Sequence, residues 1–177
     1  MNSSTGKNTE HDKASGFQQD LEYLRQIPMF RNLDFECLKL LALLSKKIEL
    51  IDGDQVMVQG EDDGCACYLI QGKLKSFYTH KQSVYPLQSI DPGQFIGASG
   101  LFTKSTRLFT VEAEVKSTIL RMSREGFQKV MLQFPETMVL IAANYSSAIV
   151  LWEQNRLNSI EEANLDQSMH TLGVSLL

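Results

Sequence analysis

The chain has 177 residues, with 17 Lys and Arg against 21 Asp and Glu, 43% hydrophobic residues and a formal net charge of −4. Those figures fit one globular domain with short appendages, and a core of roughly 130 residues is stable without metal or disulfide. They exclude the basic surplus of a nucleic-acid binder and any apolar run of the roughly 20 residues that span a bilayer. The polar N-terminus lacks the apolar stretch of a signal peptide, and an odd three cysteines make no disulfide framework, so the expected compartment is the reducing cytoplasm.

Residues 1–16 hold almost nothing apolar and cannot offset their chain entropy by burial, so they read as a disordered tail. From there the spacing is helical. Phe17, Leu21 and Leu24 share a face, Pro28 closes the segment, and Asp34 sits as N-cap to a helix over Phe35–Leu44. From Lys46 to Met122 short runs such as Ile48–Leu50, Val56–Val58, Tyr68-Leu69-Ile70, Leu74–Tyr78 and Leu87–Ile90 are broken by Gly, Asp and Pro. Several short strands at this spacing predict an antiparallel barrel or sandwich. Beyond Ser123 the helical period returns, with Pro135 suited to the first turn of a long helix carrying Met138, Ile141, Tyr145, Ala148 and Trp152 on one stripe. The predicted architecture is mainly β with flanking helices: an antiparallel β-roll (jelly-roll) barrel with N-terminal helices and a long C-terminal helix. Its domain spans residues 17–158, and residues 159–177 form a C-terminal tail.

Four motifs in this order carry a resemblance: Ile27-Pro28-Met29-Phe30, Tyr68-Leu69-Ile70-Gln71-Gly72, Asp91-Pro92-Gly93-Gln94-Phe95-Ile96-Gly97, and Arg107 through Val111. Together, over about residues 24–156, they resemble the cyclic nucleotide-binding domain of the catabolite-activator and protein-kinase regulatory-subunit families. The resemblance implies the barrel just described and a phosphate-binding cassette at Phe95–Val111. It implies Arg107 as the phosphate-binding arginine, which makes charge-assisted hydrogen bonds to phosphate oxygens. Gly97 would let the backbone approach closely, and Ala98, Ser99, Gly100 and Leu101 would form a short helix offering N–H groups.

The cassette departs from that pattern at three places. Ala98 stands where the family has the ribose-binding Glu, which removes a charge-assisted hydrogen bond worth roughly 1.5–3 kcal/mol, or about one to two decades in affinity. Leu108 and Phe109 replace small residues after the arginine and take ligand volume if they point inward. Trp152 falls where the last helix faces the base. An indole there can stack on a purine, or can serve as a core or dimer-interface anchor.

The remaining constellations have plainer readings. Arg107 alone is also compatible with a surface loop. Cys65 and Cys67 lie on one strand face, with Cys37 elsewhere; a zinc site needs four ligands at other spacings, so Cys67 reads as a small core residue and no metal is expected. Glu61, Asp62 and Asp63 read as a solvated acidic loop. No nucleophile–base pair can be assembled, so no enzymatic activity is expected. The stripe over residues 136–156 resembles a coiled-coil seam, from which a homodimer is expected. From Val130 onward Arg156 is the one basic residue among five acidic ones, so DNA contact is not expected from that stretch, nor is a membrane partner. The functional expectation is a stand-alone regulatory or sensor domain, taking a cyclic nucleotide (cyclic AMP or cyclic GMP, with reduced affinity) or another small anion. The alternative is a ligand-free degenerate copy acting as a dimeric scaffold for a partner protein.

Overall fold

The computed structural model describes residues 6–162. Helix α1 (Gly6–Gln26) leads through a 3₁₀ turn at Pro28–Phe30 to α2 (Phe35–Leu44). Eight strands follow: β1 (Ser45–Leu50), β2 (Gln55–Met57), β3 (Cys65–Gln71), β4 (Leu74–His80), β5 (Ser83–Ile90), β6 (Phe95–Ile96), β7 (Thr110–Ala113) and β8 (Ser117–Ser123). A short helix α3 (Ser99–Phe102) interrupts them, and α4 (Arg124–Gln133) and α5 (Thr137–Glu162) complete the described residues.

The strands form two antiparallel sheets of four, in the orders β1-β8-β3-β6 and β2-β7-β4-β5. This is the jelly-roll with flanking helices expected from the strand spacing. Helical structure extends beyond the boundaries expected for the domain. Helix begins at Gly6, inside the stretch read as a tail, and runs to Glu162, past residue 158; residues 1–5 and 163–177 lie outside the described residues.

Strand β3 explains why two cores form. Alternate side chains of a strand point to opposite faces, and here both faces are covered. Ala66 and Tyr68 join Leu120 and Met122 of β8 against Leu21, Leu24, Phe30, Leu41 and Phe127 of the helices. Cys65, Cys67 and Leu69 point the other way, into the space between the sheets with Leu74, Ile90, Phe109, Val111 and Ile119. All three cysteines are buried free thiols, and Cys67 is a core residue as its position suggested. Phe30 and Phe127 are fully buried, each contributing roughly 1.5–3 kcal/mol of transfer free energy.

Helix ends are set locally. Asp34 does precede α2, but its side chain caps no amide. Ser123 caps α4, accepting a bond from the Gly126 amide at 3.1 Å. Pro135 lies just before α5 rather than within its first turn, and the chain reverses through Phe134 and Pro135, whose carbonyls accept from Thr137 and Met138.

Two turns carry backbone constraint. The β4–β5 hairpin closes through Lys81 (φ 45°) and Gln82 (φ 67°), both left-handed without being glycine. At Gly72 (φ 95°) a Cβ would lie 2.2 Å from Ser117 Oγ and 2.6 Å from Ser117 Cα. The left-handed backbone costs an L residue about 1–2 kcal/mol and forced overpacking about 1–3 more. Gly72→Ala is therefore expected to destabilise the fold by roughly 2–5 kcal/mol, read as a lower denaturant midpoint; a midpoint equal to wild type would show that the β3–β4 turn is not tied to Ser117.

Candidate functional site

Between β2 and β3 the chain loops through residues 60–64, and this loop receives the segment that leads into β7. The Gly60 amide donates to the Arg107 carbonyl at 2.8 Å, and the Arg107 amide donates back to the Glu61 carbonyl at 2.8 Å. The reciprocal pair pins Arg107 so that its side chain enters the molecule, where it is 8% exposed.

The guanidinium meets a full set of acceptors there. Nε donates to Asp63 Oδ1 and Oδ2, both at 3.2 Å, and Nη2 donates to Asp63 Oδ1 at 2.6 Å. Nη2 also donates to the Cys65 carbonyl, and Nη1 to the Gly97 carbonyl at 3.3 Å. A guanidinium has five N–H donors, so a single hydrogen, on Nη1, is left over. Burial works against the charge of Arg107, but the bonds and proximity to Asp63 outweigh it and hold the group above its ordinary range. Asp63 is itself fixed, accepting from the Cys65 amide at 3.1 Å.

A second arginine ties the same loop to α4. Arg124 pairs with Asp62, donates from Nε to the Gly100 carbonyl at 2.6 Å, and donates its amide to the Gly64 carbonyl at 2.7 Å. The Arg124 hydrogen bond holds the Asp62 carboxyl below its usual range. The reading of Glu61, Asp62 and Asp63 as a solvated loop is therefore corrected: two of the three carboxylates are ion-pair partners of arginines distant in sequence.

The glycines of the cassette are explained by the same arginine. Gly97 adopts φ 77°, and a Cβ there would lie 2.4 Å from Met57 Cε and 3.0 Å from Arg107 Nη1; one on Gly100 would lie 3.0 Å from Arg107 Nη2. Helix α3 spans only Ser99–Phe102 and already uses the Gly100 and Leu101 amides, which donate to the Gly97 and Ala98 carbonyls.

On the other side of the cassette lies a cavity of about 260 Å³. Phe95, Ile96 and Ala98 line it from the cassette, Pro28 and Met29 from the 3₁₀ turn, Gln88 from β5, and Tyr145, Ala148 and Trp152 from α5. Asn144 holds α5 over this wall, its Nδ2 donating to the carbonyls of Arg31 at 2.8 Å and Met29 at 3.3 Å.

The residues singled out in the sequence thus divide into two groups. Gly97 and Gly100 lie against Arg107, which pairs with Asp63. Ala98 and Trp152 face the cavity, which Arg107 does not line. Ser99 is exposed at the start of α3, and Leu108 is exposed with its side chain away from the barrel core. Phe109 is buried between the sheets with Met57, Leu74 and Val111. The stripe of Met138, Ile141 and Tyr145 packs on the chain's own helical core, so the face read as a dimer seam serves the fold of one chain. Asp63, Arg124, Gln88 and Asn144 were not picked out as site residues. Asp63 and Arg107 are 44 positions apart, and only a search for a carboxylate able to partner a buried arginine would have raised Asp63.

Comparison with known proteins agrees with this architecture. Residues 47–134 match the family model described as "Cyclic nucleotide-binding domain". Among solved structures, the cyclic nucleotide-binding-like protein from Brucella abortus is similar at 25% identity and TM-score 0.59, over 64% of this chain and 97% of that one. The N-terminal domain of a transcriptional regulator from Streptomyces coelicolor shares the fold at 23% identity and TM-score 0.65, over 75% of this chain and 94% of that one. So does the regulatory domain of Toxoplasma gondii PKA, solved with cAMP, at 20% identity and TM-score 0.60, over 64% of this chain and 44% of that one. No curated protein matches the chain. Residues 47–134 belong to the cyclic nucleotide-binding domain family. Among the described residues no helix is long and apolar enough to cross a membrane.

Removing one member of a buried ion pair strands its partner, at about 3–5 kcal/mol, whereas replacing both by apolar groups is often neutral. Asp63→Ala is expected to cost roughly that much, toward the lower end because the Asp63 side chain keeps 15% exposure. Adding Arg107→Met to it is expected to recover most of the loss in a denaturant double-mutant cycle. Additive losses would mean that the two groups are not coupled.

Proposed function

We propose that the chain is a regulatory, non-enzymatic sensor domain with low affinity for cyclic AMP and cyclic GMP, whose ligand space is the cavity between the cassette and α5. The observation that carries this reading is the shared wall: a molecule filling the cavity touches Phe95–Ala98 and Tyr145–Trp152 together. Such a ligand shifts α5 to the extent that it binds two positions of the helix with different affinity. The reduced nucleotide affinity rests on three features. Ala98 offers no acceptor to a ribose hydroxyl, Arg107 is committed to Asp63, and Phe109 fills volume between the sheets. In this reading Gly97, Ser99, Gly100 and Leu108 shape the cassette without binding a phosphate, and Trp152 is the aromatic wall against which a flat group stacks.

The test is calorimetry with cyclic AMP on wild type and on Ala98→Glu. Restoring the acceptor is expected to tighten binding by about one to two decades from a weak starting value. Micromolar binding to wild type, abolished by Arg107→Ala, would overturn the claim of low affinity.

A second reading, a dimeric scaffold for a partner protein, is favoured by the outer face of α5. Val139, Ala143, Ser146, Val150, Glu153 and Leu157 are exposed there at alternating steps of four and three residues. That spacing is the one a coiled-coil seam uses, and it is apolar at Val139, Ala143, Val150 and Leu157; it lies opposite the stripe that packs on the domain. The homodimer proposed for residues 136–156 uses this face. Light scattering on the full chain is expected to return twice the monomer mass, falling to the monomer mass in Val150→Glu. A monomeric wild type at high concentration would overturn the dimer.

A further inference from the structure

We infer that the cavity under Trp152 takes an uncharged, flat heteroaromatic molecule with a hydrogen-bonding edge, rather than an anion; this rests on the sensor reading and names its ligand class.

The lining has the chemistry for such a molecule. Trp152, Phe95 and Met29 supply an aromatic and thioether surface, and no described residue on the wall carries a charge. Three neutral polar side chains interrupt it: Gln94, whose Oε1 accepts from the Asp91 amide at 2.6 Å, Gln88 and Tyr145. The Gln88 amide side chain has no partner among the described residues, because the bonds of residue 88 with Ser76 use only its main chain. The Tyr145 hydroxyl likewise has no hydrogen bond among the described residues, and burial pushes its phenol up, so it stays a neutral donor and acceptor. An amide and a phenol on one wall match a lactam or amidine edge, which presents a donor next to an acceptor. An anion would find no counter-charge on the described wall to offset the hydration it gives up there. The cassette's own cation, Arg107, is outside the wall and already paired with Asp63.

Size points the same way. At about 260 Å³ the cavity lies below the range of roughly 300–1,000 Å³ typical of drug-sized ligands. Two or three fused rings, or one nucleobase with a small substituent, fit that class.

The chain carries its own reporter, because Trp152 is its one tryptophan. The experiment titrates the full chain with adenosine, guanosine, adenine and lumichrome as uncharged probes, and with cyclic AMP and cyclic GMP as anionic counterparts of the first two. Tryptophan emission and calorimetry read the binding. At least one uncharged probe is expected to quench Trp152, with adenosine and guanosine binding at least as tightly as their cyclic monophosphates. Gln88→Leu, which keeps the side-chain volume, is expected to weaken that probe about tenfold, while the paired replacement Asp63→Ala with Arg107→Met, which strands no buried charge, leaves it unchanged. Arg156→Gln is run alongside, since Arg156 is the one basic residue of α5. Cyclic AMP binding tenfold or more tighter than adenosine would overturn the neutral-ligand proposal while leaving a sensor in place, and its loss in the paired Asp63→Ala and Arg107→Met variant or in Arg156→Gln would name the cation responsible. Silence of all six probes at millimolar concentration would overturn both the proposal and the sensor reading, in favour of the scaffold.

Discussion

The Arg107–Asp63 pair is the constraint around which the cassette is organised. A guanidinium in a largely dry environment must be neutralised and hydrogen-bonded, or it destabilises the fold. Satisfying it draws together three stretches distant in sequence: the loop at residues 60–64, the Gly97 turn and the start of β7. The glycines at positions 97 and 100 follow from the same demand, since the arginine occupies the space their side chains would need. The pair therefore works as a structural rivet, and a phosphate would have to compete with a carboxylate that is already in place.

That competition separates two tasks. The arginine side of the cassette fixes backbone geometry. The opposite side, with Ala98 at its edge, faces an apolar cavity closed by α5. Because Asn144 bonds α5 to the 3₁₀ turn and not to the cassette, the helix has an anchor independent of whatever fills the space beneath Trp152. A ligand would act on the helix C-terminal to that anchor, where Ala148 and Trp152 reach the wall.

Much of the fold was legible because the residues report their surroundings locally. The period-two runs and the Gly and Asp breaks gave the strands, and Asp34 marked the start of α2. The family motifs at Ile27–Phe30, Tyr68–Gly72 and Asp91–Gly97 gave the arrangement. What was not legible depended on long-range pairing. Asp62 and Asp63 look like a solvated run until Arg124 and Arg107 are brought to them from 62 and 44 positions away. The α5 stripe was visible as a period but not as a partner choice, because an apolar face has the same spacing whether it meets its own barrel or a second chain. Helix at residues 6–16 was missed because its composition is polar, and propensity at a terminus is a weak guide.

The β4–β5 hairpin holds its turn in a conformation that the turn residues do not favour. Two-residue hairpin loops with left-handed backbone favour Asn-Gly because those residues adopt it cheaply. Here Lys81 and Gln82 adopt it instead, so the turn opposes strand pairing rather than nucleating it. The geometry is imposed by the seven residue pairs between β4 and β5 and by β7 on the far side of β4. The substitution Gln82→Gly therefore relieves a conformation that the paired strands now hold in place.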